Sequence, residues 1–452
     1  MSLLTHFLFF SHPGQVVFDE VHFGRFVTGY FTHEYFFDIH PPLGKLLIAG
    51  MGYIAGFKPG ISFETIGNAF PDNTYVWLRL LPSLAGALIA PVIYLLLREL
   101  KFSKAMSWLA GILIVFESAL LVQSRFMLLD AFLLLFGFVA FLLYARFHNT
   151  DKLRYLIGAF IFAGLSLSIK WTGLTFLGVI GLIEIIKILK NFTWQKFWRL
   201  FGVTALALII YFSFFVIHFH LLYKSGQGDA FSSSEFQKTL QDSNYENDNT
   251  IDNWNSNPIT KDLKKFIELN STMLGSNSGL NATHPYSSKW YTWPFMQRPM
   301  FYWSDFTSAD QAPDEKDHND RIYLIGNPVI WWGSTFAMLY FILIALSELP
   351  SVLLKKKKTD KFMWILIGVY IASLLPFIGV SRVLFLYHYF TSLILAIIAL
   401  AYLLDNLPNK KRIIIPFLAL SIAAFIFFSP IIYGLTIPEW LYNLQAWFPS
   451  WR

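Results

Sequence analysis

Ten apolar runs, most of them about as long as a bilayer is thick, leave this chain few ways to fold. Crossing about 30 Å of hydrocarbon takes roughly 20 apolar residues in a helix, and lipid offers the backbone no hydrogen-bond partner outside such an element. The runs fall at 75–97, 105–122, 127–147, 155–172, 174–189 and 198–223, then at 323–346, 362–380, 383–404 and 413–433. They predict an all-α polytopic membrane protein. A short apolar stub at 3–10 is too short to cross alone and reads as the remnant of a first helix. Only 14% of the residues are charged, against about a quarter in soluble domains. The sequence has no cysteine, which excludes disulfides, zinc–thiolate sites and a thiol nucleophile.

The links between runs alternate in charge. Arg98, Lys101 and Lys104 fall on one side with Arg146, Lys152 and Arg154. Lys187, Lys190, Lys196 and Arg199 join them, as do Lys355 to Lys358 with Lys361, and Lys410 to Arg412. The other links carry almost no Lys or Arg, so the basic side is expected to be cytoplasmic. The net charge of +6 is thus an orientation signal and not a nucleic-acid patch. Residues 1–10 have no basic region and no small-residue cleavage site after them, unlike a cleavable signal peptide. The expected organisation is a stub at 1–10, an outward loop at 11–74, spans over 75–223, a large outward loop at 224–322, spans over 323–433 and an outward tail at 434–452. The large loop is rich in Asn, Ser and Asp up to Pro258. It then turns aromatic, with His284, Tyr286, Trp290 and Trp293 close together.

Chemistry concentrates in the first outward loop. The stretch FDEVHFGRFVTGYFTHEYFFDIHPPLGKLL, residues 18–47, carries two adjacent carboxylates, Asp19 and Glu20. A carboxylate held against a membrane protein is unfavourable unless it is solvated or used. Further ionisable residues interrupt the runs or sit at their outer ends: Arg79, Glu117, Arg125, Asp130, Lys170 and Arg382. Four basic groups gathered near a carboxylate pair resemble an anion site facing an acid–base site. Sugar transfer from a lipid phosphate to a hydroxyl needs that combination. A base deprotonates the acceptor as it attacks, and cations hold the departing phosphate. Asp19 or Glu20 could supply the first, and Arg79, Arg125, Lys170 or Arg382 the second.

The motifs FDEVHFG, FFDIHPPLGKLL, YVWLRLLPSLAGAL, QSRFMLLDAFLLLF, SIKWTGLTFLG, HPYSSKWYTWP with its following RP, GNPVIWW, YGLTIP and PSWR resemble, in order, those of the protein O-mannosyltransferase family, in the GT-C class of membrane glycosyltransferases. The resemblance runs nearly the length of the chain. It implies an inverting transfer of mannose from a polyprenyl or dolichyl phosphate to Ser or Thr of translocated proteins, at the outer face of the plasma membrane. It implies the base role for Asp19 and a supporting role for Glu20, with Arg79 and Lys170 near the donor phosphate. Arg125 and Arg382 sit on matching motifs and are placed with them. No cofactor and no divalent metal are expected, because Arg and Lys alone can neutralise a monophosphate. Family members usually have eleven spans, and the eukaryotic ones carry a β-trefoil domain in the large loop. Here that loop is too short for one, as in the bacterial form.

Plainer readings stand beside these. Asp19–Glu20 could be a helix-start pair favoured by the dipole. His40 could only hold the turn before Pro41–Pro42. His22, one helical turn after Asp19, could tune it or simply lie at the surface. Asp130 reads as a structural partner of Arg125. His284, Tyr286, Trp290 and Trp293 fit an acceptor groove or an interfacial aromatic belt equally. Asn191, Asn270 and Asn281 each begin an N-x-Thr or N-x-Ser/Thr glycosylation pattern that is frequent by chance. Rival functions are transfer of a sugar to a lipid or glycan, and, more remotely, transport along a path of buried charges.

Overall fold

The computed structural model describes residues 1–252, 254, 257–279, 283–305, 320–353, 360–380 and 382–451. The expected basic link Lys355–Lys358 and the pattern at Asn281 lie outside the described residues. The helices, in chain order, are α1 (Ser2–Phe7), α2 (Glu20–Thr32), α3 (Leu43–Ala55), α4 (Thr74–Glu99), α5 (Lys104–Val115), α6 (Ser118–Ser124), α7 (Asp130–Thr150), α8 (Leu153–Leu167) and α9 (Leu174–Lys190). They continue as α10 (Trp194–Leu221), α11 (Ser234–Gln237), α12 (Pro258–Gly279), α13 (Pro328–Leu353), α14 (Lys361–Leu374), α15 (Phe390–Asp405), α16 (Lys410–Tyr433) and α17 (Glu439–Gln445). Among the described residues seven helices are long and apolar enough to cross a membrane, and the bent pair α5–α6 makes an eighth. The protein is a multi-pass, mainly helical membrane protein.

Each expected run appears as a helix, with three differences. The run at 105–122 breaks after Val115, and its halves meet at 59°. Glu117 causes the break: its carboxylate accepts from the Leu120 and Asn327 amides and so caps α6 while fixing the start of α13. The run at 155–172 stops being α-helical at Leu167, and the chain is extended at Lys170. Tyr323 belongs to a strand and not to a span. Strand β2 (Arg321–Leu324) pairs antiparallel with β1 (Met300–Ser304), and α13 starts only at Pro328. Trp293 is fully buried and its carbonyl accepts from the Trp331 indole, so it is core and neither groove nor belt.

Helix α4 is the hub, packing on α7, α5, α3 and α1, while α15 is enclosed by α13, α14 and α5. Lipid is as apolar as the helices, so association rests on close approach and interhelical hydrogen bonds. Gly137 of α7 faces Phe176 of α9, and a Cβ there would lie 2.2 Å from the ring. Gly181 on the same α9 has open space around it. Gly137→Ala is therefore expected to lower stability by about 1–3 kcal/mol through overpacking, while Gly181→Ala is neutral or mildly stabilising. Thermal unfolding of both variants in one detergent checks this, and equal melting temperatures would contradict it.

Candidate active site

The two adjacent carboxylates have different fates. Glu20 is fully buried and forked to Arg79, with Nε at 2.8 Å and Nη2 at 2.7 Å. The same carboxylate accepts from the amides of Val17 (2.9 Å) and Met127 (3.1 Å). Arg79 spends two more N–H groups on the carbonyls of Pro13 (2.7 Å) and Gln15 (2.9 Å). This pair ties the first loop to α4 and to the α6–α7 turn. It engages Arg79, fully buried, within the fold, a different placement from the phosphate contact expected for it.

Asp19 occupies the N-cap position of α2 but makes no capping bond. Its backbone carbonyl accepts from His22 and Phe23, while its carboxylate accepts no hydrogen bond among the described residues. Surrounding protein pushes that carboxyl up to about 7 by burial; Lys170 pulls it down, and Asp130 and Asp38 push it up. Phe18 sets the geometry. It sits at φ 46°, a left-handed conformation uncommon for an aromatic residue. Its ring stacks on Tyr302 at 4.2 Å, and its amide donates to the Tyr302 carbonyl at 3.1 Å. Tyr302 is the extra residue of a bulge in β1, where the register jumps between Phe301 and Trp303, so its carbonyl is free for this bond.

A buried polar chain runs on from Tyr302. Its hydroxyl donates to the Gln123 amide oxygen, and the Gln123 amide nitrogen donates to Asp130 at 2.6 Å. Asp130 holds the Lys170 ammonium through both oxygens, at 2.8 and 2.9 Å. Asp130 therefore pairs with Lys170 and not with Arg125. Lys170 also lies over the Tyr387 ring at 5.1 Å, and Phe18 meets the same ring edge-on. Gln123, Tyr302 and Tyr387 carry no charge, so nothing in the sequence singled them out.

The remaining candidates separate. Arg125 is buried, donating to Phe9 O at 2.6 Å and lying 4.7 Å over the Tyr433 ring, so it anchors the N-terminal segment to the end of α16. This too differs from a phosphate contact. Arg382 is half-buried and makes no ion pair among the described residues. With Lys170 and His40 it lines a cleft of about 680 Å³ whose other walls are largely apolar, including Trp171, Leu174, Leu274 and Leu375, with Thr172, Thr175, Asn277, Ser278 and His388 among them. His40 is kept well below its usual range by burial, with Lys170, Lys45 and Arg382 adding to the effect, so its ring is neutral. Lys45 folds back on the HPPLGK turn, pairing with Asp38 and donating to the carbonyls of His40 (2.8 Å) and Pro41 (3.2 Å). His22 lies in a separate groove with Arg25 and Glu34, whose walls desolvate the ring in part and lower its pKa. His284 accepts from the Tyr286 amide, and Tyr286 stacks on Phe301. His284 lines a second cleft, of about 1060 Å³, that shares Arg382 with the first. Asn270 accepts from Tyr211 and donates to Phe266 O, so its side chain is engaged within the fold. Among the described residues no three His, Asp or Glu converge as metal ligands.

Two family models match this chain. Residues 1–223 match dolichyl-phosphate-mannose-protein mannosyltransferase, and residues 262–451 match the C-terminal four-transmembrane region of protein-O-mannosyltransferase. Dolichyl-phosphate-mannose–protein mannosyltransferase 4 of Candida albicans is 37% identical over 54% of this chain and 35% of its own length. Protein O-mannosyltransferase 1 of Drosophila melanogaster is 34% identical over 52% of this chain and 28% of its own. The chain thus spans about a third of the length of those relatives. The Saccharomyces cerevisiae protein O-mannosyltransferase Pmt1–Pmt2 complex bound to the sugar donor superposes with a TM-score of 0.85 at 21% identity, covering 100% of this chain and 91% of that one. ArnT of Cupriavidus metallidurans bound to undecaprenyl phosphate gives 0.54 at 12% identity, covering 96% and 75%.

The raised carboxyl has a signed consequence. Its stabilising contribution is fully present below the ordinary aspartate range and is lost as pH rises through about 7. Infrared difference spectra of wild type against Asp19→Asn are expected to lose a protonated-carboxyl band with a midpoint near 7. In Lys170→Met the midpoint moves up, because the cation that favours the charged form is gone. A midpoint near 4, the usual aspartate value, would contradict the assignment.

Proposed function

From the premise that this chain belongs to the protein O-mannosyltransferase family and has the GT-C fold, we propose that it transfers mannose from a polyprenyl-type phosphate to Ser or Thr hydroxyls of polypeptides. One observation carries the reading: Asp19, whose carboxylate accepts no hydrogen bond among the described residues, feels the charge of Lys170, a cation fixed by Asp130 that lines a largely apolar cleft. The names of the relatives and the donor-bound yeast complex support it.

The step is a single displacement with inversion. The acceptor hydroxyl attacks C1 of the mannose as Asp19 takes its proton, and the C1–O bond to phosphate breaks with its electron pair going to the phosphate oxygen. The products are the O-mannosylated side chain, the polyprenyl phosphate and protonated Asp19, which later releases its proton to water. A base titrating near 7 combines correct protonation with useful basicity at neutral pH. Lys170 and Arg382 meet the charge that grows on the phosphate, and the apolar cleft takes the first isoprene units. Two cations suit a monophosphate, so the reaction is proposed to need no metal. The site lies at the end of the helices away from the basic links, which is proposed to be the outer face of the plasma membrane.

Protein in nanodiscs, supplied with polyprenyl-phosphate-[¹⁴C]mannose and a Ser/Thr-rich peptide, is expected to label the peptide in a form that mannosidase removes. Arg382→Ala lowers kcat on the order of 10²-fold, the usual effect of removing one stabilising donor. Label appearing in extracted lipid or glycan instead of peptide would replace the acceptor class.

A further inference from the structure

The cleft of about 1060 Å³ beside the donor groove has a one-signed lining. Lys289, Arg298 and Arg382 all face it, and among the described residues no Asp or Glu lines it. None of the three makes an ion pair among the described residues. Lys289 is exposed. Arg298 lies 5.5 Å over the Tyr286 ring, and its buried Nε has no hydrogen-bond partner. The walls between these cations are hydroxyls and aromatic faces, with Ser287, Thr292, Trp290 and Tyr291 among them. That lining differs from the donor groove, whose walls are mostly aliphatic. The two clefts share one partition, built from Phe377, Gly379, Val380, Arg382 and Leu384. An isoprenoid suits the apolar side of that partition. The other side offers hydrogen bonds, flat rings and unmet positive charge, which suits an anionic polypeptide.

We infer that this second cleft holds the acceptor polypeptide and selects segments with Asp or Glu flanking the acceptor hydroxyl, through Lys289 and Arg298. This rests on the reading of the chain as a transferase with a polypeptide acceptor. Arg382 then stands between the leaving phosphate and the acceptor. Lys289 and Arg298 lie farther from the reaction and act on affinity. Partly exposed charges of this kind are screened by salt, so the selectivity fades as ionic strength rises.

The test uses full-length protein in neutral-lipid nanodiscs and three fluorescent peptides with one Ser/Thr core, flanked by Asp, Gln or Lys. Anisotropy at low salt is expected to show the Asp-flanked peptide binding on the order of tenfold more tightly than the Lys-flanked one, a modest preference suited to two exposed pairs. The gap closes at high salt, and Lys289→Glu abolishes or reverses it. Lys289 makes no side-chain bond, so that variant is expected to fold, and Arg298→Gln supplies an independent reduction. In the labelling assay the same ranking appears in KM with kcat little changed. Equal affinity for all three peptides, or a preference indifferent to Lys289→Glu, would overturn the inference. So would loss of the preference together with tighter retention of phosphatidylglycerol by wild type than by Lys289→Glu, which would make the cleft a lipid-headgroup site. If charge-selective binding holds but no peptide is labelled, the cleft is a site for anionic polypeptide, and both its role as an acceptor site and the transferase reading are overturned.

Discussion

The ion pair between Arg79 and Glu20 is the constraint on which the site depends. Both partners are fully buried, and two charges in such a place are tolerable only when their donors and acceptors are well met. Here four of the five guanidinium N–H groups and both carboxylate oxygens are met. The guanidinium fork takes Glu20 on one side and the carbonyls of Pro13 and Gln15 on the other, while Glu20 also receives the Val17 and Met127 amides. One pair therefore fixes the first loop, the hub helix α4 and the turn into α7 relative to one another. Removing a single partner would strand a charge, at about 3–5 kcal/mol in comparable buried pairs.

Fixing Glu20 in this way frees Asp19. The left-handed turn at Phe18, held by its stack and amide bond to Tyr302, ends in a residue whose carboxylate accepts no hydrogen bond among the described residues. The network from Tyr302 through Gln123 and Asp130 to Lys170 sets the ammonium that pulls Asp19 down against the larger upward push of burial. Architecture and chemistry are thus divided between neighbours in sequence. Glu20 is saturated by hydrogen bonds, whereas Asp19 is surrounded by protein without them, and that burial pushes the Asp19 carboxyl up.

Much of this was legible before any coordinates. Long apolar runs and alternating basic links give the helical elements, because desolvating a charged group in hydrocarbon is so unfavourable that the pattern is strict. The motif order grouped Asp19 and Glu20 with Arg79, Arg125, Lys170 and Arg382; of these, Lys170 lies within electrostatic reach of Asp19 and shares a cleft with Arg382. What the sequence hid has physical reasons. Averaged hydropathy runs straight across Phe116–Glu117, since a buried carboxylate met by backbone amides leaves the apolar count almost unchanged. Asp130 looked like a partner for Arg125 because the two are close in the chain, whereas its real partner, Lys170, is 40 residues away. Arg79 and Arg125 read as phosphate ligands because their true acceptors are largely backbone carbonyls, which every sequence has everywhere. The β1–β2 pair, with the bulge that presents Tyr302, lay within an aromatic stretch without regular alternation.

The central claim is that the acid pair is split by role, and parallel measurement of Asp19→Asn and Glu20→Gln tests it most directly. For each variant, the melting temperature and the transfer rate per folded molecule are read at pH 8. The account predicts that Asp19→Asn melts at or above the wild-type temperature and loses transfer by 10²–10⁴-fold, the range for a general base. Glu20→Gln is predicted to melt well below wild type. Transfer by Asp19→Asn at the wild-type rate, or an inactive Glu20→Gln that melts with wild type, would contradict it.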